Sequence, residues 1–160
     1  MVKSGALLAA VASAWMQPRG GHPPVFLDVG SRGGLARRWI PASQLGLISP
    51  VLVEPDLVEA DALAQRWPRV RIIRDALGSQ DGNEAILHVT CEPGRSSLLP
   101  PDPDIIARYT DPVPWRVVRQ MEVVTRRLDC IWGDTPPPEF LKLDVQGFEL
   151  EVLAGMGNLM

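Results

Sequence analysis

The chain has 160 residues, enough for one domain with a single continuous core, and its 46% hydrophobic content excludes disorder throughout. A formal charge of −3 gives no electrostatic reason to expect nucleic acid, which would call for a basic patch. Cys91 and Cys130 are too few for a disulfide framework and lack the spacing of a zinc site, which points to a reduced, cytoplasmic setting.

Residues 1–24 read as an N-terminal helix and linker. Lys3 and the apolar run from Gly5 to Ala14 have the outline of a secretion signal, but the run is too short to span a bilayer. The alternative is an amphipathic helix capped by Ser4, with Leu7, Leu8, Val11 and Trp15 along one stripe. A lone lysine is a weak positive region, so the helix is the expectation. Pro18, Gly20, Gly21, Pro23 and Pro24 then form a linker that cannot stay helical.

A domain over residues 25–160 follows. An apolar strand at 25–29 runs into the glycine turn Gly30-Ser31-Arg32-Gly33-Gly34 and then a short helical piece carrying Leu35 and Trp39. The turn is expected to deliver main-chain N–H groups above the strand end. A second buried strand, Val51 to Glu54, ends at Pro55. Asp56 caps a helix whose Leu57, Ala60, Leu63, Ala64 and Trp67 repeat at helical spacing. Val70 to Arg74 is a third strand, and the alternation implies a parallel sheet with right-handed crossovers.

The pattern then changes. Residues 76–79 and 84–90 flank an Asp81-Gly82 pair, a strong hairpin signal. Residues 91–114 form a long proline-rich loop with one helical turn near Ile105 to Tyr109, and loops of that length are uncommon unless functional. Another extended piece covers 117–125, and a short helix carries Leu128, Ile131 and Trp132. Phe140 to Val145 is the fourth core strand, followed by the Gln146-Gly147 turn and a helix from Phe148 that Gly155 and Gly157 stop.

Several residues carry chemistry. Glu54 ends the second strand about two dozen residues after the glycine turn, where a carboxylate can accept from both hydroxyls of a ribose. A dinucleotide site shows G-x-G-x-x-G and a helix N-terminus receiving a pyrophosphate; this chain has G-x-x-G-G, with Asp28 two residues before the first glycine. That carboxylate repels a pyrophosphate but suits a ligand with an ammonium group and no phosphate, such as S-adenosylmethionine. His22, in the linker, and His88, in a strand expected to face solvent, are weaker candidates. No metal site follows from the sequence.

Phe26 to Gly34, Val53-Glu-Pro-Asp56, Ala76-Leu-Gly-Ser79, Ser96-Ser-Leu98 and Phe140 to Leu153 together resemble the FkbM-type class I methyltransferases, in register from about residue 25 onward. The resemblance implies an α/β, Rossmann-like, mostly parallel sheet. It also implies S-adenosylmethionine as cofactor and O-methylation of a small-molecule or glycan acceptor. Carried over, Asp28, Gly30, Ser31 and Gly33 would surround the methionine part and Glu54 would hold the ribose. Asp75, Ala76 and Leu77 would edge the adenine pocket. Asp144, Gln146 and Glu149 would sit beside the transferring methyl, with Asp144 or Glu149 as base; Glu149 is equally explained by the dipole of its helix. Ser97 falls in the serine motif before the variable loop. Where the family leads one to expect an acid, this chain has Gln146, which cannot act as a base.

A class I sheet has seven strands, and this chain supplies the first four. The fourth would be an open edge, expected either in a fragment of a longer protein or in a short form pairing with a second copy. A non-catalytic module that kept cofactor binding and lost its acceptor half is the alternative to an active enzyme.

Overall fold

The computed structural model describes residues 21–159 together with Ala10 and Ser13–Trp15. Ala10 and Ser13–Trp15 are helical, and the rest of the expected N-terminal helix, including its Ser4 cap, lies outside the described residues.

Four parallel strands form the main sheet: β1 (Val25–Val29), β2 (Ser49–Val53), β3 (Arg71–Ile73) and, far along the chain, β7 (Phe140–Leu143), in the order β3-β2-β1-β7. The fold is thus α/β and Rossmann-like. β1 lies between β2 and β7, so all five of its residues are buried, which is why it reads as a continuous apolar run broken only by Asp28. Among the described residues, β7 has β1 as its one strand partner. Phe140 of β7 stacks on Trp15, with ring centroids 6.1 Å apart.

Alternate β1 side chains serve two layers. Val25, Leu27 and Val29 join Val51, Val53 and Ile73 in a core closed by Leu128, Trp132, Val152 and Met156. Those closing residues come from α4 (Leu128–Ile131), α5 (Glu149–Ala154) and the residues just after each. Phe26 and Leu52 face the other side, packing with Leu35, Ile48, Trp39 and Trp67. α2 (Leu57–Arg66) lies on that side; Asp56 caps it, accepting from Val58 N at 3.2 Å. Its buried face is Ala60 and Leu63. Leu57, expected on that face, is the first helical residue and is 55% exposed.

Three other expectations are corrected. No helix carries Leu35 and Trp39: turns and bends run from Arg32 to Trp39, and α1 (Ile40–Gln44) begins only where Pro41 can occupy the first turn. Residues 76–79 and 84–90 do not form a hairpin. β4 (Ala76–Leu77) and β5 (Glu84–Thr90) both pair with β6 (Val117–Arg126), parallel and antiparallel respectively, giving a second sheet in the order β4-β6-β5. The Asp81-Gly82 turn exists, but Thr125 of β6 occupies the space between its arms: Gly82 N donates to Thr125 O at 2.9 Å, and Thr125 N to Asn83 O at 2.8 Å. Finally, the helical turn in the long loop is α3 (Pro103–Ile106), set earlier than expected because Asp102 accepts from Asp104 N and Ile105 N and Pro103 fits the first turn.

Arg71 ties β3 to α4. Its guanidinium donates to Trp132 O at 2.7 Å, Ile131 O at 2.9 Å and Thr135 Oγ1 at 3.0 Å, satisfying carbonyls that the short helix leaves open. Among the described residues no helix is long and apolar enough to cross a membrane.

Candidate functional site

The carboxyl ends of β1, β2 and β7 open into a cleft of about 310 Å³, at the position where open α/β sheets bind ligands. Asp28, Gly30 and Arg32 line it from the first turn, Glu54 and Pro55 from β2, Asp75, Ala76 and Leu77 from the start of the second sheet, and Lys142, Asp144 and Val145 from β7. Gly94, Ser96, Ser97 and Leu98 form the far wall, so the start of the long loop is part of the site.

The turn is built differently from a phosphate cradle. Gly30 N and Ser31 N both donate to Val53 O, at 3.2 and 3.1 Å, and the Ser31 hydroxyl adds a third bond to the same oxygen at 3.0 Å. Gly33 N donates to Glu59 Oε1 at 3.0 Å and Gly34 N to Ser31 O at 2.7 Å. These N–H groups are therefore spent on the protein rather than delivered to a ligand, correcting the expectation for the turn. Ser31 and Gly33 lie outside the cleft lining. Gly30 is held by close approach: a Cβ there would sit 2.2 Å from Asp144 O, and its φ of 78° is a left-handed conformation that favours glycine.

Glu54 is 4% exposed and its carboxyl accepts from Asp56 N at 2.9 Å. Burial pushes it up to about 7, against that hydrogen bond and the attraction of Arg32. The next acid behaves oppositely. Burial would raise Asp56, but Arg119 and Arg32 outweigh it and hold the carboxyl below its ordinary value; Arg32 lies 3.2 Å away, and Arg119 bonds the same oxygen from β6. Arg119 thereby fastens the second sheet to the first beside the cleft.

On the β7 side, residues far apart in sequence meet. The parallel register sets Asp28 opposite Lys142, and the ammonium lies 2.8 Å from Asp28 Oδ1, 3.4 Å from Gly30 O and 3.7 Å from Asp144 Oδ2. Asp28 is 1% exposed; burial raises its carboxyl above the ordinary value while Lys142 pulls it back. Lys142 is the residue that sequence reasoning missed. The available signal was its place two residues before Asp144 in the fourth strand, on the same face.

Gln146 Nε2 donates to Asp144 Oδ1 at 2.7 Å. The Glu149 carboxylate accepts from Val145 N at 3.1 Å and from Gly147 N at 3.2 and 3.0 Å. Burial favours its neutral form, but these main-chain bonds prevail and hold it below the ordinary carboxylate value. Glu149 is outside the lining. Ser97, by contrast, is buried in the far wall, with its hydroxyl 3.0 Å from both Val145 O and Gln146 O. His22 is exposed, and half-buried His88 bonds Gln120 through Nδ1. Among the described residues no group of His, Cys, Asp and Glu side chains is arranged to hold a metal ion.

The lining thus combines an apolar floor, a buried carboxyl able to accept from vicinal hydroxyls, and an Asp–Lys–Asp set carrying one net negative charge. These groups are complementary in chemistry to vicinal hydroxyls and to a cation. A family model described as Methyltransferase FkbM domain matches residues 35–160, beginning just after the glycine turn. No curated protein and no solved structure matches the chain.

Proposed function

The chain belongs to the FkbM methyltransferase family, and from that premise we propose that it transfers a methyl group from S-adenosylmethionine to a hydroxyl of a small molecule or sugar. One observation carries the choice of cofactor. The cleft places buried Glu54 at one end and the Asp28–Lys142–Asp144 set at the other, while the turn between them has spent its N–H groups at Gly30, Ser31, Gly33 and Gly34. Such an acceptor set suits ribose hydroxyls and an ammonium and offers little to a pyrophosphate.

When bound, S-adenosylmethionine supplies a methyl group activated on a sulfonium. Glu54 accepts from the ribose hydroxyls, and Asp75, Ala76 and Leu77 edge the adenine. Asp28 and Asp144 balance the ammonium. For the chemistry itself, the protein's main contribution is to hold an acceptor oxygen in line, and positioning of this kind supplies about 7–11 kcal/mol of a barrier. Asp144 is the acid best placed to take the acceptor proton: it lines the cleft, with Oδ1 fixed by Gln146 and Oδ2 toward Lys142. In this reading Glu149 holds the 145–147 turn rather than acting as the base.

Calorimetry with S-adenosylmethionine and S-adenosylhomocysteine tests the binding half, and absence of binding by both sinks the proposal. Transfer of a labelled methyl to hydroxyl-bearing acceptors tests the other half. Asp144→Asn is expected to weaken S-adenosylhomocysteine about tenfold, through the lost counter-charge for the ammonium, and to lower kcat at saturating donor about 100-fold, the usual range for loss of a general base. Binding without transfer to any acceptor would support the non-catalytic module instead.

A further inference from the structure

Gln146 is, among the described residues, the one non-glycine with a positive φ, at 56°. From that left-handed position its Nε2 reaches two oxygens, Asp144 Oδ1 at 2.7 Å and Gly94 O at 3.4 Å. A second side chain, Ser97, joins the same two segments. The Ser97 hydroxyl faces Val145 O and Gln146 O, and its oxygen accepts from Leu99 N at 3.0 Å. Leu99 also packs over Gly147, where a Cβ would lie 3.3 Å from its Cδ1.

We propose that Gln146 is a latch: its amide ties the 93–98 wall of the cleft to the Asp144 carboxylate, making it a positioning residue for the acceptor side. The chemistry explains the residue type. An amide nitrogen carries two hydrogens, one for each of these oxygens. A carboxylate at the same position has none to give, and would set a second negative charge beside Asp144 Oδ1. The amide also occupies only one Asp144 oxygen, leaving Oδ2 toward Lys142 and the cleft. The acceptor-side role rests on the methyl-transfer reading; the latch itself does not.

Hydrogen exchange on the full chain decides the latch without any assay of activity. In Gln146→Ala, amides of residues 94–99 should exchange about tenfold faster than in wild type, with those of β6 unchanged. Gln146→Gly removes backbone strain as well as the amide, so faster exchange there separates the side chain's role from a mere need for a left-handed residue. Gln146→Glu should lie between wild type and Gln146→Ala at pH 4, where most of the carboxyl is protonated and has one hydrogen to give in place of the amide's two. It should loosen as the pH rises to 8, after correction for intrinsic exchange. Unchanged exchange in Gln146→Ala and in Gln146→Glu at pH 8 would overturn the latch, and slower exchange in Gln146→Gly than in wild type would assign the position to the turn alone. At pH 8 and saturating donor, Gln146→Glu should raise the acceptor KM and lower kcat about tenfold, with S-adenosylhomocysteine affinity changed less than about twofold. Loosened exchange with wild-type kcat and KM would overturn the positioning role. A wild-type chain that binds no S-adenosylhomocysteine would defeat the methyl-transfer reading, while the exchange data would still decide the latch.

Discussion

Glu54→Gln separates a ribose-binding carboxylate from an incidental buried acid. The Glu54 carboxyl is raised from 4.5 to about 7 by burial, so near pH 6 most of the free protein carries it protonated. A ligand whose hydroxyls donate to the ionised form must expel that proton on binding. By linkage, affinity should fall about tenfold between pH 8 and pH 6, with about 0.9 proton released per ligand at pH 6. Calorimetry with S-adenosylhomocysteine in buffers of different ionisation enthalpy reads both quantities. In Glu54→Gln both effects should vanish, and the difference between the two proteins cancels the ligand's own titration. At pH 8 the variant should bind about 10- to 150-fold more weakly, the loss of one charge-assisted bond of about 1.5–3 kcal/mol. Stability should move the other way. With the folded value above the unfolded one, the unfolded chain ionises first as pH rises, so Glu54 costs nothing well below pH 4.5, progressively more up to about 7, and a constant amount above. The rise corresponds to a cost on the order of 3 kcal/mol. Urea unfolding should therefore find Glu54→Gln more stable than wild type at pH 8 and equal to it at pH 4. A variant that binds with the wild-type pH slope, or that is no more stable at pH 8, would refute the reasoning.

Gly30→Ala forces a Cβ to 2.2 Å from the main-chain Asp144 O, an atom with no side-chain freedom to move aside, so β1 and β7 must part. A loss of at least about 3 kcal/mol is expected, a drop in Tm on the order of 10 °C. Gly33→Ala shares the φ of 78° but meets nothing within 4 Å, and should lose only about 1–2 kcal/mol; equal losses in a thermal melt would dismiss the clash. Lys142→Met leaves buried Asp28 without its cation and should cost about 1–3 kcal/mol at neutral pH in urea unfolding. The penalty should shrink as the pH falls and Asp28 becomes protonated, and Asp28→Asn in the same chain should recover most of it. A penalty independent of pH would mean that Lys142 matters through its packing.

Local chemistry was legible in the sequence; partners set by long-range pairing were not. β1 and β2 announce themselves as apolar runs because both faces of a parallel strand are buried, and Asp56 announces α2 because an acid before an amphipathic run is a ready cap. The Asp81-Gly82 pair was read correctly as a turn, with Gly82 at a φ of 79°, and wrongly as a hairpin. Nothing local reveals that β6, more than thirty residues later, takes the place between the two arms. The same limit hid Lys142, whose partner Asp28 lies 114 residues away and is brought opposite only by the β1–β7 register.

That register also changes the reason for preferring a cofactor without phosphate. Asp28 read alone opposes a pyrophosphate by its charge, yet in the folded chain Lys142 cancels most of that charge at 2.8 Å. What remains decisive is directional. A phosphate held at a glycine turn needs main-chain N–H groups aimed outward, and here the turn donates twice to Val53 O and once each to Glu59 and Ser31. Delivering those groups to a phosphate would mean breaking the bonds that fasten the turn to β2 and α2. The residual formal negative charge of Asp28, Lys142 and Asp144 is then what the proposed cationic cofactor would meet as a counter-charge in the cleft.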